Sequence, residues 1–253
     1  MLKDVPRAHR RNASSSGARR RRAARCQNPG MERRLDEMTL QGSPVVANCA
    51  MNRERTLRSY GRELGIDVLA EIGGGWLDLC CGAGRALAEA AVRRPGARIT
   101  GVDLAGRFLP AASAVRLVTA SVAEWAPDGP YGLITCVHGL HYVGDKLGVL
   151  ARAASWLSAD GLLVANFDAA SVRLADGSSG EAPDRSPSRA PGGRRVAAAL
   201  RAAGFRYDGR RQRISLRGRR EVRLPFRYLG ADDQAGPNYT GQPAVDSFYE
   251  PFQ

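Results

Sequence analysis

The stretch Trp76-Leu77-Asp78-Leu79-Cys80-Cys81-Gly82-Ala83-Gly84-Arg85-Ala86-Leu87 constrains this chain more than any other. An apolar run ends in an acid, passes through small residues and opens into an alanine-rich helical pattern, which spells strand, tight turn, helix. Gly82 and Gly84 permit positive φ and the close approach of a bound molecule to the backbone. The following helix aims its first N–H groups at the same spot. A Gly-x-Gly alone serves many βα turns for backbone reasons only, so the reading depends on what lies downstream.

Downstream, short apolar runs alternate with helical patterns. Ala97–Asp103 is a second strand ending in an acid, followed by a helical stretch over 105–113 and a third strand at Val115–Ser121. Leu133–Val137 is continuously apolar, as a strand buried on both faces must be. A helix over 145–157 and a strand over Leu162–Phe167, joined by Ala159-Asp160-Gly161, complete a βαβαβ alternation. Such alternation calls for a parallel sheet covered on both faces. Upstream, Asn52 reads as an N-cap, with Leu57, Tyr60 and Leu64 at helical spacing, Gly65 as a stop and a short helix over 67–72. Tyr60 and Arg58 could close over a ligand, or Tyr60 could be core. After the sheet come a Ser/Pro/Gly-rich insertion (169–193), a helix over 194–203, and two strand-like segments near 205–216 and 220–229 around Arg217-Gly218-Arg219. The domain therefore spans 51–229, between a disordered tail (1–50, with a helical turn or two across 32–40) and an irregular C-terminal tail (230–253).

The 253-residue chain carries a formal charge of +13, but the charge is unevenly placed. Residues 1–34 hold eleven Lys/Arg against Asp4 and Glu32, and residues 201–223 hold nine Arg against Asp208 and Glu221, which leaves the central body mildly acidic. The basic tail reads as a solvated arm, and the arginine-rich segment as the charged face of an edge strand that resists aggregation. A surface for RNA is the alternative. Five cysteines with no C-x-x-C spacing argue for reduced thiols and against a disulfide framework or zinc site. No apolar run approaches the roughly 20 residues of a membrane span, and the N-terminus lacks the apolar core of a secretory signal, so the expected location is cytoplasmic.

In an open parallel sheet, ligands bind at the carboxyl ends of strands near the switch in strand order. There the first strand presents Asp78 and the loop Cys80–Gly84, and the second presents Asp103 and Leu104, with Asp103 nineteen residues past Gly84 and placed to accept hydrogen bonds from ribose hydroxyls. Ser121 and Val122, after the third strand, are placed to meet an adenine edge. These positions ask for an adenosine-bearing ligand, either a dinucleotide or S-adenosylmethionine. Leu87 stands where a pyrophosphate fingerprint wants a small residue, and an Asp78 facing the ligand would repel phosphates and welcome a cation, which favours S-adenosylmethionine.

Residues 72–168 resemble a class I S-adenosylmethionine-dependent methyltransferase. Asp78-Leu79-Cys80-Cys81-Gly82-Ala83-Gly84 is similar to the family's acid-x-Gly-x-Gly-x-Gly loop, and Gly101-Val102-Asp103 to its ribose-binding motif. Tyr131–Cys136, continuing into Leu140–Asp145, resembles the fourth motif and its sequel, and Trp156–Leu163 the passage into strand five. The resemblance implies a doubly wound α/β fold, Rossmann-like, with a seven-stranded, mostly parallel sheet and a C-terminal antiparallel hairpin at 205–229. It implies cofactor contacts from Asp78, Cys80, Gly82, Gly84, Asp103, Leu104, Ser121, Val122 and Cys136. Three departures stand out: Cys80 replaces the first glycine, a mild change if its φ is negative; Ser121 stands near a frequent acid; and Gly132 replaces a common acid.

A sulfonium methyl is already activated, so the protein must chiefly align a nucleophile and, where needed, deprotonate it. Of the histidines, His9 lies in the tail and His138 and His141 flank the end of the fourth strand, where an acceptor would sit. Histidine titrates in the useful range, and the expectation is a base at one of the two, with His141 slightly favoured and Tyr142 as an orienting group. The sequence thus points to methyl transfer, without a metal, to an oxygen or nitrogen of a small molecule. Methylation of RNA or protein, and a non-catalytic cofactor-binding scaffold, are the alternatives.

Overall fold

The computed structural model describes residues 33–47, 55–110, 114–175 and 191–252. The basic segment before residue 33, the Asn52 cap and most of the Ser/Pro/Gly-rich insertion lie outside the described residues. Seven strands form the main sheet: β1 (Trp76–Leu79), β2 (Ile99–Asp103), β3 (Val115–Thr119), β4 (Tyr131–Cys136), β5 (Leu157–Asn166), β7 (Arg206–Asp208) and β8 (Arg213–Arg217). They run in the order β3-β2-β1-β4-β5-β8-β7, parallel from β3 to β5 and antiparallel at β8 and β7. The order reverses between β1 and β4, which sets the switch point beside the loop 80–84. This is the doubly wound sheet that the alternation of strands and helices required.

Local chemistry explains the helix ends. Thr56 caps α2 (Leu57–Leu64) by accepting from Ser59 N at 3.2 Å, and Gly65, with φ of 65°, ends it in the left-handed conformation. Asp67 caps α3 (Val68–Glu71), and Gly84 precedes α4 (Arg85–Arg93). Asp145 caps α5 (Lys146–Ser155) through Gly148 N at 2.9 Å. Successive residues of β1 point to opposite faces. Leu77 and Leu79 pack with Leu147 and Leu150 of α5 and with Val196 and Leu200 of α6 (Pro191–Ala202), while Trp76 packs with Leu57 and Tyr60 of α2 and Leu87 and Ala90 of α4. Gly132 of β4 is explained by packing: a Cβ there would lie 2.6 Å from the backbone nitrogen of Gly74.

The structure corrects several sequence expectations. Residues 105–110 form no helix. β5 begins at Leu157, so Ala159-Asp160-Gly161 lies within the strand rather than before it. The hairpin is β7–β8 alone, turning at 209–212, whereas the segment expected to pair with β8 becomes β9 (Phe226–Asp232) of a different sheet. The C-terminal segment is not irregular: β10 (Asp246–Pro251) pairs antiparallel with β9 and parallel with β6 (Val172–Leu174), which lies inside the expected flexible insertion. In the N-terminal segment a helical turn forms as expected, and its packing against the second sheet is what the sequence did not show. Leu35 exchanges backbone hydrogen bonds with Ala231, Asp36 caps α1 (Glu37–Gln41), and Leu40 is buried against Ala231 and Val245.

Lys146 pins this second sheet to the domain. Only 1% exposed, it donates from Nζ to Val245 O and Ser247 Oγ, both at 2.7 Å. Burial brings its pKa down to about 8, opposed by the charges of Asp246, Asp168, Glu37 and Asp145. Tyr249 adds a second tie, with its hydroxyl donating to Asp145 Oδ1 and accepting from Leu147 N, each at 3.0 Å. Replacing Lys146 by Met strands two buried acceptors, so Lys146→Met is expected to cost about 2–3 kcal/mol in urea unfolding. An unchanged midpoint would show that the ammonium anchors nothing.

Candidate active site

Three strand ends build one half of the site. The loop after β1 curls because Cys80, Gly82 and Gly84 all adopt positive φ, at 59°, 60° and 77°. Cys80 therefore does not keep the negative φ on which a mild replacement of the first glycine depended. A side chain in this region costs about 1 kcal/mol or more, and its thiol is held by donating toward Cys136, a hydrogen bond that, with burial, pushes its pKa well up. Cys136, at the end of β4, is buried, and Gly139 makes room for both thiols: a Cβ there would lie 2.7 Å from one sulfur and 2.8 Å from the other. Cys80, Cys81 and Cys136 are free thiols.

Asp103, at the end of β2, clasps the loop. Its Oδ2 accepts from Gly82 N at 2.9 Å and its Oδ1 from Ala105 N at 3.0 Å. Burial raises its pKa and these two hydrogen bonds oppose the rise. A carboxylate has about four acceptor sites, so each oxygen retains capacity for a ribose hydroxyl. Leu104 follows, half-buried, on the same rim. Ser121, after β3, accepts from Gln41 Nε2 at 3.0 Å and from Ala123 N at 3.2 Å, which leaves its hydroxyl proton to donate. Val122 beside it is buried, and its carbonyl accepts from Arg152 at 2.9 Å.

Asp78, expected to face the ligand, is turned into the core. It has no exposed surface, and its two oxygens accept from the hydroxyls of Tyr60, at 2.6 Å, and Thr135. Thr135 in turn accepts from Trp76 Nε1 at 2.8 Å. Burial lifts the Asp78 pKa to about 7, against the pull of both hydroxyls and the Arg55 charge. Tyr60 is accordingly a core residue that supports the acid.

The other half of the site lies past β4. His138 holds a left-handed backbone conformation with φ of 57°, tied by its N–H to Asn166 Oδ1 at 3.2 Å. Its Nε2 sits 3.4 Å from Glu63 Oε2 of α2. Its Nδ1 faces the Tyr239 hydroxyl at 3.3 Å and His141 Nε2 at 3.4 Å, and the last two are themselves 3.4 Å apart. Burial lowers the pKa of both histidines, that of His141 to about 3 with help from His138, Lys146 and Arg55. His141 is 1% exposed, whereas the His138 side chain is 13% exposed. His141 is thus the more deeply buried of the two histidines. Tyr142 is half-buried.

The sequence reading overlooked Gln41, Arg55 and Glu63. Gln41 had a signal: Leu35 and Leu40 bracket an Asp36 cap as a hydrophobic staple does. Arg55 and Glu63 had none, since nothing in one chain says which face of an amphipathic helix meets a strand end sixty or more residues on.

These residues fit an adenosine-bearing cation. A buried acceptor with spare capacity stands at the end of β2, beside a loop curled by three positive-φ residues that leaves room for close approach. Among the described residues, no group of three or more His, Cys, Asp or Glu is arranged to hold a metal ion, and no helix is long and apolar enough to cross a membrane.

Comparison with known proteins agrees. The sequence profile of a methyltransferase domain family matches residues 49–221. The chain is similar to trans-aconitate 2-methyltransferase of Azoarcus sp. (strain BH72), 30% identical over 63% of this chain and 62% of the relative. It is also similar to the enzyme of that name from Paracidovorax citrulli (strain AAC00-1), 35% identical over 34% of this chain and 36% of the relative. The chain thus spans about three fifths of the first of these curated relatives and about a third of the second. Among solved structures it is similar to the plantazolicin methyltransferase BpumL with a pentazolic analogue and SAH (TM-score 0.39, 14% identity, 51% of this chain and 55% of that one). A second is SAM-bound CalS10, an amino pentose methyltransferase of Micromonospora echinaspora (TM-score 0.34, 20% identity, 51% of this chain and 53% of that one). With the family profile covering more than half of its length, and the loop, ribose acid and strand order in place, the chain belongs to the class I S-adenosylmethionine-dependent methyltransferase family.

Proposed function

We propose that this protein transfers a methyl group to an oxygen or nitrogen of a small-molecule acceptor by direct in-line displacement. The observation that carries this reading is the cluster of His138, His141, Tyr239 and Glu63 past β4, the strand beside the cofactor loop. When bound, S-adenosylmethionine supplies a methyl group on a sulfonium, already activated toward attack. Asp103, Gly82 and Gly84 are placed to hold its adenosine and methionine parts, with Leu104, Ser121, Val122 and Cys136 along the rim and floor.

His138 serves as the base. A tautomer with its proton on Nε2 directs that N–H at the Glu63 carboxylate and leaves the Nδ1 lone pair facing the acceptor, so the carboxylate orients the ring and stabilises the cation formed on proton uptake. As the new bond to the methyl carbon forms and the carbon–sulfur bond breaks, the acceptor's proton passes to Nδ1. His141, neutral because burial disfavours its charged form, and Tyr239 hold the acceptor by hydrogen bonds. Both curated relatives carry the name of a small organic acid, which supports a small acceptor.

The arginine-rich segment supports the same choice over nucleic acid. Arg217 pairs with Glu71, Arg211 with Asp208, Arg213 donates to Leu64 O and Arg201 lies over the Tyr207 ring. These contacts knit the sheet edge to its neighbours. RNA methylation would lose activity steeply with salt, and turnover of the small acceptor is expected to be insensitive to it.

The test is transfer of labelled methyl to a panel of small alcohols, amines and carboxylic acids, with RNA as control. On a hydroxyl or amine acceptor, His138→Gln is expected to reduce kcat by about 10²–10³-fold. It should also abolish the loss of activity expected of the wild type on acidification through the His138 pKa, which lies below the ordinary histidine value. Full activity in that variant would remove His138 as the base.

A further inference from the structure

Cys80 and Cys136 meet where the strand order reverses. β1 and β4 run parallel with Asp78 beside Thr135, and continuing that register puts Cys80 one diagonal step from Cys136. Adjoining strands lie about 4.8 Å apart and a residue advances about 3.3 Å along a strand. The two Cα atoms therefore fall inside the roughly 4.4–6.8 Å that a disulfide spans.

The side chains converge as well. Continued as a strand, the chain would send Cys80 to the Asp78 face of the sheet, away from Cys136. The left-handed turn at Cys80, with φ of 59°, instead packs it against the cluster that holds Leu79 and Cys136. Cys81 goes the other way, to the cluster that holds Trp76 and Leu87. A Cβ at Gly139 would lie 2.3 Å from Cys80 Cβ, 2.7 Å from Cys136 Sγ and 2.8 Å from Cys80 Sγ. The sulfurs are thus no further apart than the last two distances laid end to end, and the Cys80 thiol donates to its neighbour. Glycine would adopt this φ without steric cost, so the strained position holds a thiol that the backbone does not require.

We propose that Cys80 and Cys136 form an oxidation site, at which a hydroperoxide closes a disulfide that disrupts the cofactor loop. Cys80 is the entry point, being only partly buried where Cys136 is buried. Its sulfur attacks the peroxide: a sulfur–oxygen bond forms, the oxygen–oxygen bond breaks, and the thiol proton leaves with the departing hydroxide as water. The Cys136 sulfur then displaces hydroxide from that sulfenic acid, and its own proton leaves with it as a second water. The two thiols give up two electrons, and one hydrogen peroxide becomes two waters. The Cys136 hydrogen bond, burial and the charges of Asp103 and Asp78 keep the Cys80 thiol protonated, so the reaction is slow and the pair stays reduced until peroxide persists.

Closure shortens a hydrogen-bonded contact to a bond of about 2.05 Å and pulls Cys80 toward β4. The next two residues are held to β2, Cys81 N by Val102 O at 3.0 Å and Gly82 N by Asp103 Oδ2 at 2.9 Å. The loop is then drawn between two strands, and the Asp103 clasp gives way. A consequence for the cofactor rests on the methyl-transfer reading; the disulfide itself does not.

The test treats the reduced full chain with hydrogen peroxide, removes the excess, maps crosslinked peptides by mass spectrometry without reductant, and titrates S-adenosylhomocysteine by calorimetry. A peptide joining the Cys80 and Cys136 segments is expected, absent from Cys80→Gly and from Cys136→Ala. Affinity for S-adenosylhomocysteine should fall by about tenfold or more in the crosslinked wild type and return after dithiothreitol. In each variant, the ratio of affinities before and after peroxide should stay near one, whatever its starting affinity. Free Cys136 after peroxide has oxidised other thiols, a crosslink that survives in Cys80→Gly, or Cys80 driven to sulfinic acid would overturn the proposal. A Cys80–Cys136 crosslink that leaves affinity unchanged would overturn the disruption of the loop. Failure of S-adenosylhomocysteine to bind the reduced wild type would strike the methyl-transfer reading instead, and the peptide map would still decide the oxidation site. A melting scan of each variant separates loss of crosslinking from loss of fold.

Discussion

Replacing Asp103 by Ala is expected to lower affinity for S-adenosylhomocysteine by about 3 kcal/mol, roughly a hundredfold in Kd. Two losses add. The ribose forfeits a charge-assisted acceptor, and the N–H groups of Gly82 and Ala105 forfeit the oxygens that clasp the loop. The second loss makes Asp103→Asn informative, because an amide turns a donor toward one of those two N–H groups while keeping the shape. Its affinity is expected to fall as well, and by less. Calorimetry reads both. Wild-type affinity in Asp103→Ala would mean that the ribose is held elsewhere and that the loop needs no clasp.

The second large effect concerns pH. Asp78 has a folded pKa of about 7 against an ordinary 3.8. Between those values the folded state binds the proton that the unfolded state has released. The stabilisation from Asp78 is therefore complete below about pH 4 and is lost as pH rises through 7. The histidines act in the opposite sense, since the pKa of His141 falls from 6.5 to about 3 and its contribution grows with pH across that span. Wild type alone would blend the two trends, so the readout is the difference between wild type and Asp78→Asn. Asn keeps the shape and cannot ionise. Relative to wild type, the variant is expected to gain about 2–4 kcal/mol of unfolding free energy between pH 4 and pH 8, less a constant cost for reorienting the Tyr60 and Thr135 hydroxyls. Urea unfolding at several pH values measures the difference. A difference that stays flat across the range would show that Asp78 ionises freely in the fold.

Asp78 also illustrates what the sequence could and could not tell. Its place at the end of a buried strand before a small-residue loop was legible, and so were the acid ending the second strand, the strand alternation and the switch point. All of these follow from patterns a few residues long. The direction of its side chain was not legible, because that depends on Tyr60 arriving from α2 and Thr135 from β4. Cys80 failed in the same way: whether a non-glycine residue takes positive φ is settled by neighbours, here Cys136 and the Gly139 opening. The second sheet escaped because β9 and β10 are joined by a Pro/Gly-rich stretch, and their pairing is closed by a buried Lys146 far off in sequence. That His138 and His141 lie together past β4 was legible, but their unequal burial was not. The cluster around His138 is assembled from α2, the turn after β4 and the C-terminal segment, with no local motif for any of its contacts.

The central claim is that the loop 80–84 and Asp103 hold S-adenosylmethionine at the reversal of strand order. Isothermal titration of the full chain with S-adenosylmethionine, S-adenosylhomocysteine and NAD tests it most directly. Saturable binding of the first two, with no heat from NAD, is the expected result. Binding of NAD with no response to either S-adenosyl compound would contradict it.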